Sequence, residues 1–436
     1  MKQRLKQMWQ KLSIIKIYVR YVSQWLGMSA IVGVLCGVIG SAFHMGVEIA
    51  TDFRLEHPFM LYLLPAAGLL IVAVYRISRT EGTGTDQILE QVQEGKGLPL
   101  LLLPSIFFST ILTHLCGGSS GREGAALQMG GTIGYHVGKF LHMEDKDVRI
   151  ATMTGMAAFF SALFGTPLAA AVFAMEVISV GLIYHMALIP CLTAALLAYG
   201  VSFLAGLEAT HFVVAAPELH AFMLLRVALL ASLCAFLSIL FCNTIHGMHV
   251  LFAKKIPNPW QRVVAGGLMV IALTFLAGTG DYNGAGMPVI TAAVEQGQAF
   301  PTAFLWKILF TAVTLGAGFK GGEVVPSFFV GAAFGCVAGP LMGIPAGFAA
   351  AIGLISVFCG AVNAPIASIF LSVELFGAEG ILFFALACGL SFVLSGYNGL
   401  YSSQRILYSK LKAQFIDVRT NAHTTGVETE AERSHH

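Results

Sequence analysis

Two glutamates stand where a carboxylate is least expected. Glu123 lies in Gly117-Gly118-Ser119-Ser120-Gly121-Arg122-Glu123-Gly124, and Glu323 in Gly316-Ala317-Gly318-Phe319-Lys320-Gly321-Gly322-Glu323-Val324-Val325-Pro326, both inside long apolar sequence. A carboxylate within a membrane costs at least ~2.5–3.5 kcal/mol, so such a residue usually has a task. The glycines let backbone N–H groups turn toward one point, and the helix that follows adds its positive end, which together make an anion nest. At the first break the nest is formed around Gly121, Arg122 and Gly124, and at the second by the amides of Val324 and Val325. A carboxylate beside such a nest can take the anion's place and leave when protonated or displaced, which is the chemistry of a gate. Glu123 fits that role. The plainer alternative has Glu123 paired with Arg122 or capping its helix. Glu323 reads either as a second titratable site on a proton path or as the partner of Lys320.

Other polar residues carry weaker signals. Tyr401, in Gly396-Tyr397-Asn398-Gly399-Leu400-Tyr401-Ser402-Ser403, can donate one hydrogen bond to an anion while its ring keeps water away. Thr83, in Gly82-Thr83-Gly84-Thr85-Asp86-Gln87, offers a hydroxyl that suits an anion or a turn equally well. Glu176 and Glu374 end short apolar segments and read as structural. The eight cysteines lie in apolar stretches without metal-site spacing, so they read as small core residues, and no metal or cofactor is expected. Gly118-Ser119-Ser120-Gly121 also contains the G-x-S-G arrangement of an intramembrane serine protease, with His185 or His246 as candidate bases, a remote alternative.

The elements that must position these residues belong to a membrane. Apolar residues make up 56% of the chain and charged residues 11%, far from the ~45–50% and ~25% of a soluble domain. A net charge of +2 offers no basic field for nucleic acid. Segments 29–50, 59–75, 182–204, 221–241 and 262–278 are long enough to cross. Segments 124–140, 167–180, 326–342 and 365–376 are read as too short; they begin at Gly or Pro, as discontinuous helices do when they point their N-termini at an anion. Residues 1–24 read as a basic amphipathic helix, and with Lys410, Lys412 and Arg419 at the other end they place both termini in the cytoplasm. Arg433-Ser434-His435-His436 reads as a tag remnant.

The chain also repeats itself. Leu163-Phe164-Gly165-Thr166-Pro167-Leu168-Ala169 with Glu176 recurs as Val362-Asn363-Ala364-Pro365-Ile366-Ala367 with Glu374, nine positions from proline to glutamate in each copy. Glu123 precedes Glu323 by 200 positions, and Gly131 precedes Gly331 by the same interval. Broken helices at matching places in two halves are the strongest sequence pointer to a transport site.

With these motifs in order, the chain resembles the CLC family of chloride channels and proton-coupled halide antiporters over residues 25–415. The segments Gly82-Thr83-Gly84-Thr85-Asp86, Gly121-Arg122-Glu123-Gly124-Ala125, Gly321-Gly322-Glu323-Val324-Val325-Pro326 and Leu400-Tyr401-Ser402 match those that surround the halide in that family. The resemblance implies an all-α polytopic fold of many tilted and discontinuous helices in two inverted-topology halves, 25–210 and 211–416, followed by a tail, 417–436. It implies a homodimer in membrane lipid, and Glu123 in the place of the gating glutamate. Two departures narrow it. Val177 stands where the chloride-coupled antiporters carry an internal proton glutamate, and a carboxylate in a GGEV segment is similar to the fluoride-exporting branch. The expected activity is therefore fluoride/proton antiport in a bacterial plasma membrane, with a chloride channel or chloride/proton antiporter as the alternative.

Overall fold

In the computed structural model, residues 2–421 are described, and they form sixteen α-helices with a few short 3-10, π and β elements. Six helical stretches are long and apolar enough to cross a membrane: Val19–Glu56, Pro58–Ile77, His185–Leu204, Ala221–Lys255, Pro259–Ala277 and Val324–Leu341. The first five contain or overlap the expected spans. The sixth corrects the expectation that 326–342 is too short: the helix starts two residues before Pro326, whose missing N–H is harmless in a first turn, and continues through Pro340. The N-terminal boundary also changes. Lys2–Glu56 is one uninterrupted helix of 55 residues, and no proline precedes Pro58 to stop it. The amphipathic face expected for 1–24 falls largely on side chains outside those described; of the tail expected over 417–436, residues 422–436, with the tag remnant, lie outside the described residues, and 417–419 belong to the strand Phe415–Arg419.

Large apolar side chains face outward, with Leu204, Leu341, Ile77 and Phe140 each more than four-fifths exposed, which suits contact with acyl chains. Inside, the two halves pack by the same device. Helix Glu123–Phe140 crosses Asp145–Phe164 so closely that a Cβ on Gly155 would lie 1.9 Å from the Gly130 carbonyl oxygen. Val324–Leu341 crosses Ala346–Val362 in the same way, with a Gly353 Cβ falling 2.1 Å from the Gly331 oxygen. Small residues permit such backbone contact where apolar burial alone gives helices little reason to associate.

The repeat also exchanges helix caps. Glu176 ends helix Pro167–Glu176 and accepts the N–H groups of Ile366 (3.2 Å) and Ala367 (2.8 Å), at the start of Pro365–Phe376. Glu374 returns the contact, accepting Leu168 N–H (2.9 Å) and Ala169 N–H (2.8 Å). Each carboxylate satisfies N–H groups that the other half's helix cannot pair internally. All eight cysteines are free and buried, as core residues.

One element was not anticipated. Ser179–Val180, Arg405–Tyr408 and Phe415–Arg419 form a small sheet, parallel at Ser179↔Arg405 and antiparallel at Arg405↔Arg419, with Arg405 paired to Asp417. It anchors the chain that follows Tyr401.

Candidate functional site

The two glycine breaks meet. Gly121 N–H donates to the Gly322 carbonyl (2.7 Å) and Gly322 N–H to the Gly121 carbonyl (2.8 Å), an isolated antiparallel bridge that sets the starts of helices Glu123–Phe140 and Val324–Leu341 against each other. Two positive helix ends and their unpaired N–H groups thus converge on one point.

Glu123 occupies that point. It is fully buried, its Oε2 accepts the Val325 N–H from the other half (3.1 Å), and the N–H groups of Arg122 and of Glu123 itself also face the carboxylate. A Cβ on Gly121 would lie 2.1 Å from Oε2 and one on Gly322 2.9 Å from it, so only glycine leaves the carboxylate its place. Its other oxygen, Oε1, has no hydrogen-bond partner. The expected alternative pairing with Arg122 is not formed; among the described residues no carboxylate lies within 4.0 Å of Arg122, whose Cζ is 5.8 Å from the centre of the Phe164 ring. Glu123 does sit at its own helix start, as a capping residue would, but its carboxylate also takes a donor from the other half, the Val325 N–H.

Glu323 is placed differently. The residue is partly exposed, yet Oε2 is shut away and accepts no hydrogen bond. Glu123, Asp86 and Lys320 all lie within electrostatic range of it. The Lys320 ion pair proposed as its plain alternative is absent: Lys320 Nζ sits 4.2 Å from the centre of the Tyr75 ring instead, a cation–π contact that holds the ammonium away from the glutamate.

Tyr401 is 3% exposed, and its hydroxyl has no partner. Glu123, Glu323 and Asp86 are its charged neighbours. The flanking chain is held firmly. Leu400 N–H donates to Ala361 (2.8 Å), and the Asp86 carboxylate accepts Ser402 Oγ (2.6 Å) and Ser403 N–H (3.0 Å).

Thr83 requires a correction. Its hydroxyl donates to the Thr80 carbonyl (2.6 Å), so its one hydrogen closes a turn and is not free for an anion. The hydroxyl that faces the junction is Thr85, which accepts from Gln128 Nε2 (3.3 Å) and lies 3.4 Å from where a Gly124 Cβ would stand. Neither Thr85 nor Gln128 was singled out from sequence. The available signal was Thr85 opening helix Thr85–Glu94 two positions after Thr83. The protease reading loses its base: Ser120 Oγ has no hydrogen-bond partner, and His246 bonds to Asn421 (3.1 Å).

A family profile described as voltage gated chloride channel matches residues 67–396. The chain is 34% identical over 399 residues to a chloride/fluoride channel protein of Pseudomonas syringae pv. tomato, covering 89% of this chain and 88% of that protein. A crystal structure of a CLC-type fluoride/proton antiporter superposes with a TM-score of 0.84 at 32% identity, covering 88% of this chain and 98% of that one. A slow cyanobacterial Cl-/H+ antiporter shares the fold, with a TM-score of 0.71 at 19% identity over 85% and 94% of the two chains. With two glycine breaks meeting at a buried glutamate, and a match over most of its length, the chain belongs to the voltage-gated chloride channel family, the CLC proteins.

Proposed function

We propose that this protein exchanges fluoride for protons across a bacterial plasma membrane, exporting fluoride as protons enter. The observation that carries the reading is the Glu123 carboxylate seated in the Gly121–Gly322 nest, with a second carboxylate nearby, Glu323, whose Oε2 takes no hydrogen bond. Fluoride and the Glu123 carboxylate compete for the same donors, the Val325 N–H foremost. Protonation removes the charge that holds Glu123 there, and the anion takes its place. The amides of Arg122, Gly124, Val324 and Val325 then face the anion, with the free Tyr401 hydroxyl as a further donor; Gly121, expected among them, has its N–H committed to the Gly322 carbonyl and contributes space instead. Glu323 passes the proton on, a task no side chain at Val177 can perform. Fluoride holds its water more tightly than chloride, so a compact set of backbone donors suits it.

The same reading assigns the two halves to 25–210 and 211–416, both termini to the cytoplasm by their basic residues, and the working form to a homodimer in lipid. The name of the Pseudomonas relative carries fluoride beside chloride, and the fluoride/proton exchange of the superposed antiporter supports fluoride as the ion. Flux from liposomes of the purified protein tests it. Fluoride is expected to pass at least roughly tenfold faster than chloride, about 1.4 kcal/mol in barrier height, with protons moving the opposite way. Equal or faster chloride flux would establish the chloride channel or antiporter reading instead.

A further inference from the structure

Helix Ala303–Ala317, in the second half, is apolar except at Lys307, Thr311 and Thr314. Spacings of four and three put these side chains on one face of the helix, and each is fully buried. A lysine and two hydroxyls hidden inside a protein must be bonded to something. What they hold is the approach to Glu123.

Their contacts reach residues 117–119, in the first half. Thr314 Oγ1 donates its hydrogen to the Phe310 carbonyl (2.8 Å) of its own helix, which leaves its lone pairs to accept the Ser119 N–H (3.1 Å). Thr311 Oγ1 lies 3.1 Å from Ser119 Oγ, hydroxyl to hydroxyl. Lys307 acts through a loop. Its Nζ donates to the carbonyls of Tyr282 (3.1 Å) and Gly284 (2.7 Å). That loop in turn donates Gly284 N–H to the Gly118 carbonyl (3.1 Å) and Asn283 Nδ2 to the Gly117 carbonyl (2.7 Å). Each of residues 117–119 is therefore bonded either to the stripe or to the loop that the stripe holds.

The fit is close. A Cβ on Gly118 would lie 2.5 Å from Thr113 Cγ2 and 3.2 Å from Thr314 Cγ2, and one on Gly286 2.6 Å from the Phe329 ring. Lys307 Nζ itself stands 5.2 Å from the centre of that ring, on the helix whose Val325 N–H holds Glu123. The first half does not repeat the device. Phe107 and Ile111 stand 200 positions before Lys307 and Thr311 and have no polar group to offer. At the second break, Gly318 N–H and Phe319 N–H donate to the carbonyls of Leu315 and Thr314, their own helix, so that break leans on itself while the first leans on the other half.

We propose that Lys307, Thr311 and Thr314 are positioning residues of the gate: they fix 117–119 against the second half, so that the Glu123 carboxylate stays at the Val325 N–H until a proton releases it. The proposal rests on the reading of Glu123 as the gate. With the stripe broken, the loop yields, the carboxylate leaves without a proton, and fluoride passes uncoupled.

The test uses the full-length protein in liposomes, with fluoride and pH electrodes read together to give protons moved per fluoride, a ratio that does not depend on how much of the protein is folded. Thr314→Val keeps the shape and changes no charge; it is expected to lower the ratio about fivefold, the size of one neutral hydrogen bond. Thr314→Ser keeps the hydroxyl and should stay within about twofold of the unsubstituted protein. Lys307→Met should lower the ratio further, about tenfold, because two charge-assisted bonds are lost. Lys307 and Glu123 also lie within electrostatic range of each other, so the uncharged threonine variants decide. Thr311→Val carries the same test if Thr314→Val does not fold. A lowered melting temperature with a ratio within about twofold of the unsubstituted protein would overturn the proposal, as would Thr314→Ser behaving like Thr314→Val. Glu123→Gln is measured beside them. Coupling lost there but kept in Thr314→Val overturns the stripe alone; coupling kept in Glu123→Gln overturns the gate reading and the proposal with it.

Discussion

Glu123 and Glu323 occupy the same place in two copies of one repeat, 200 positions apart, yet their surroundings differ. Glu123 is fully buried and takes the Val325 N–H across the junction. Glu323 does not reach the reciprocal donor, its Oε2 takes no hydrogen bond at all, and the nearby lysine faces a tyrosine ring. The glycine patterns explain part of this. In the first copy Gly121 gives the carboxylate space directly beside Oε2, and Gly322 of the second copy gives space from the other side. Both glycines serve Glu123. A duplicated frame has thus become asymmetric, with one carboxylate able to compete with an anion and the other positioned to titrate without doing so.

That contrast can be broken at either end. The largest effect is expected at Glu123→Gln, which mimics the protonated carboxylate: proton movement coupled to fluoride should fall about 100-fold, the low end of what a positioned proton-transfer group contributes. Normal coupling in that variant, measured by simultaneous fluoride and pH electrodes, would remove Glu123 from the mechanism. Glu323→Gln should have a smaller effect, about tenfold, because the residue is partly exposed and water can stand in for part of its role. Its stability should change by no more than about 0.5 kcal/mol. A buried ion pair broken at one partner costs about 3–5 kcal/mol, so melting measured beside flux distinguishes a proton station from a structural partner of Lys320.

How far these roles could be read in advance depended on how local their causes are. The glycine breaks, the acidic residues at them and the proline-to-glutamate interval are all short-range patterns, and each reappears in the structure where it was expected. The Gly121–Gly322 bridge was not legible, because which backbones of the two halves meet is set by packing. Thr83 and Thr85 could not be separated, because which hydroxyl faces the junction depends on one turn closed by the Thr80 carbonyl. Val324–Leu341 was shortened by treating Pro326 as a start, although proline is tolerated throughout a first turn. Lys307 gave no signal whatever. It lies near the start of an apolar helix, where a basic residue commonly marks a membrane interface, and its hold on the loop at Gly284 arises only from packing. Arg405–Tyr408 was missed because four residues after a long helical protein carry too little pattern to compete with it.

The smallest effect expected concerns the other pair of repeated carboxylates, and it sharpens the contrast. Glu176 and Glu374 also correspond between halves, but there the symmetry is kept, since each accepts two N–H groups at the start of the other's helix. Carboxylates whose two oxygens each take a fixed backbone donor are braces, not carriers. Glu374→Ala should lower stability by about 1–2 kcal/mol, the range for a lost N-terminal cap, and Glu176→Ala by somewhat more because Glu176 is the more buried. Neither should change the ratio of protons to fluoride. The two caps brace one helix pair, so the double variant should depart from the sum of the single ones by at least about 0.5 kcal/mol. Additive losses in denaturant melts would show the caps to act independently, and a changed proton ratio in either single variant would mean that the preserved pair, too, takes part in transport.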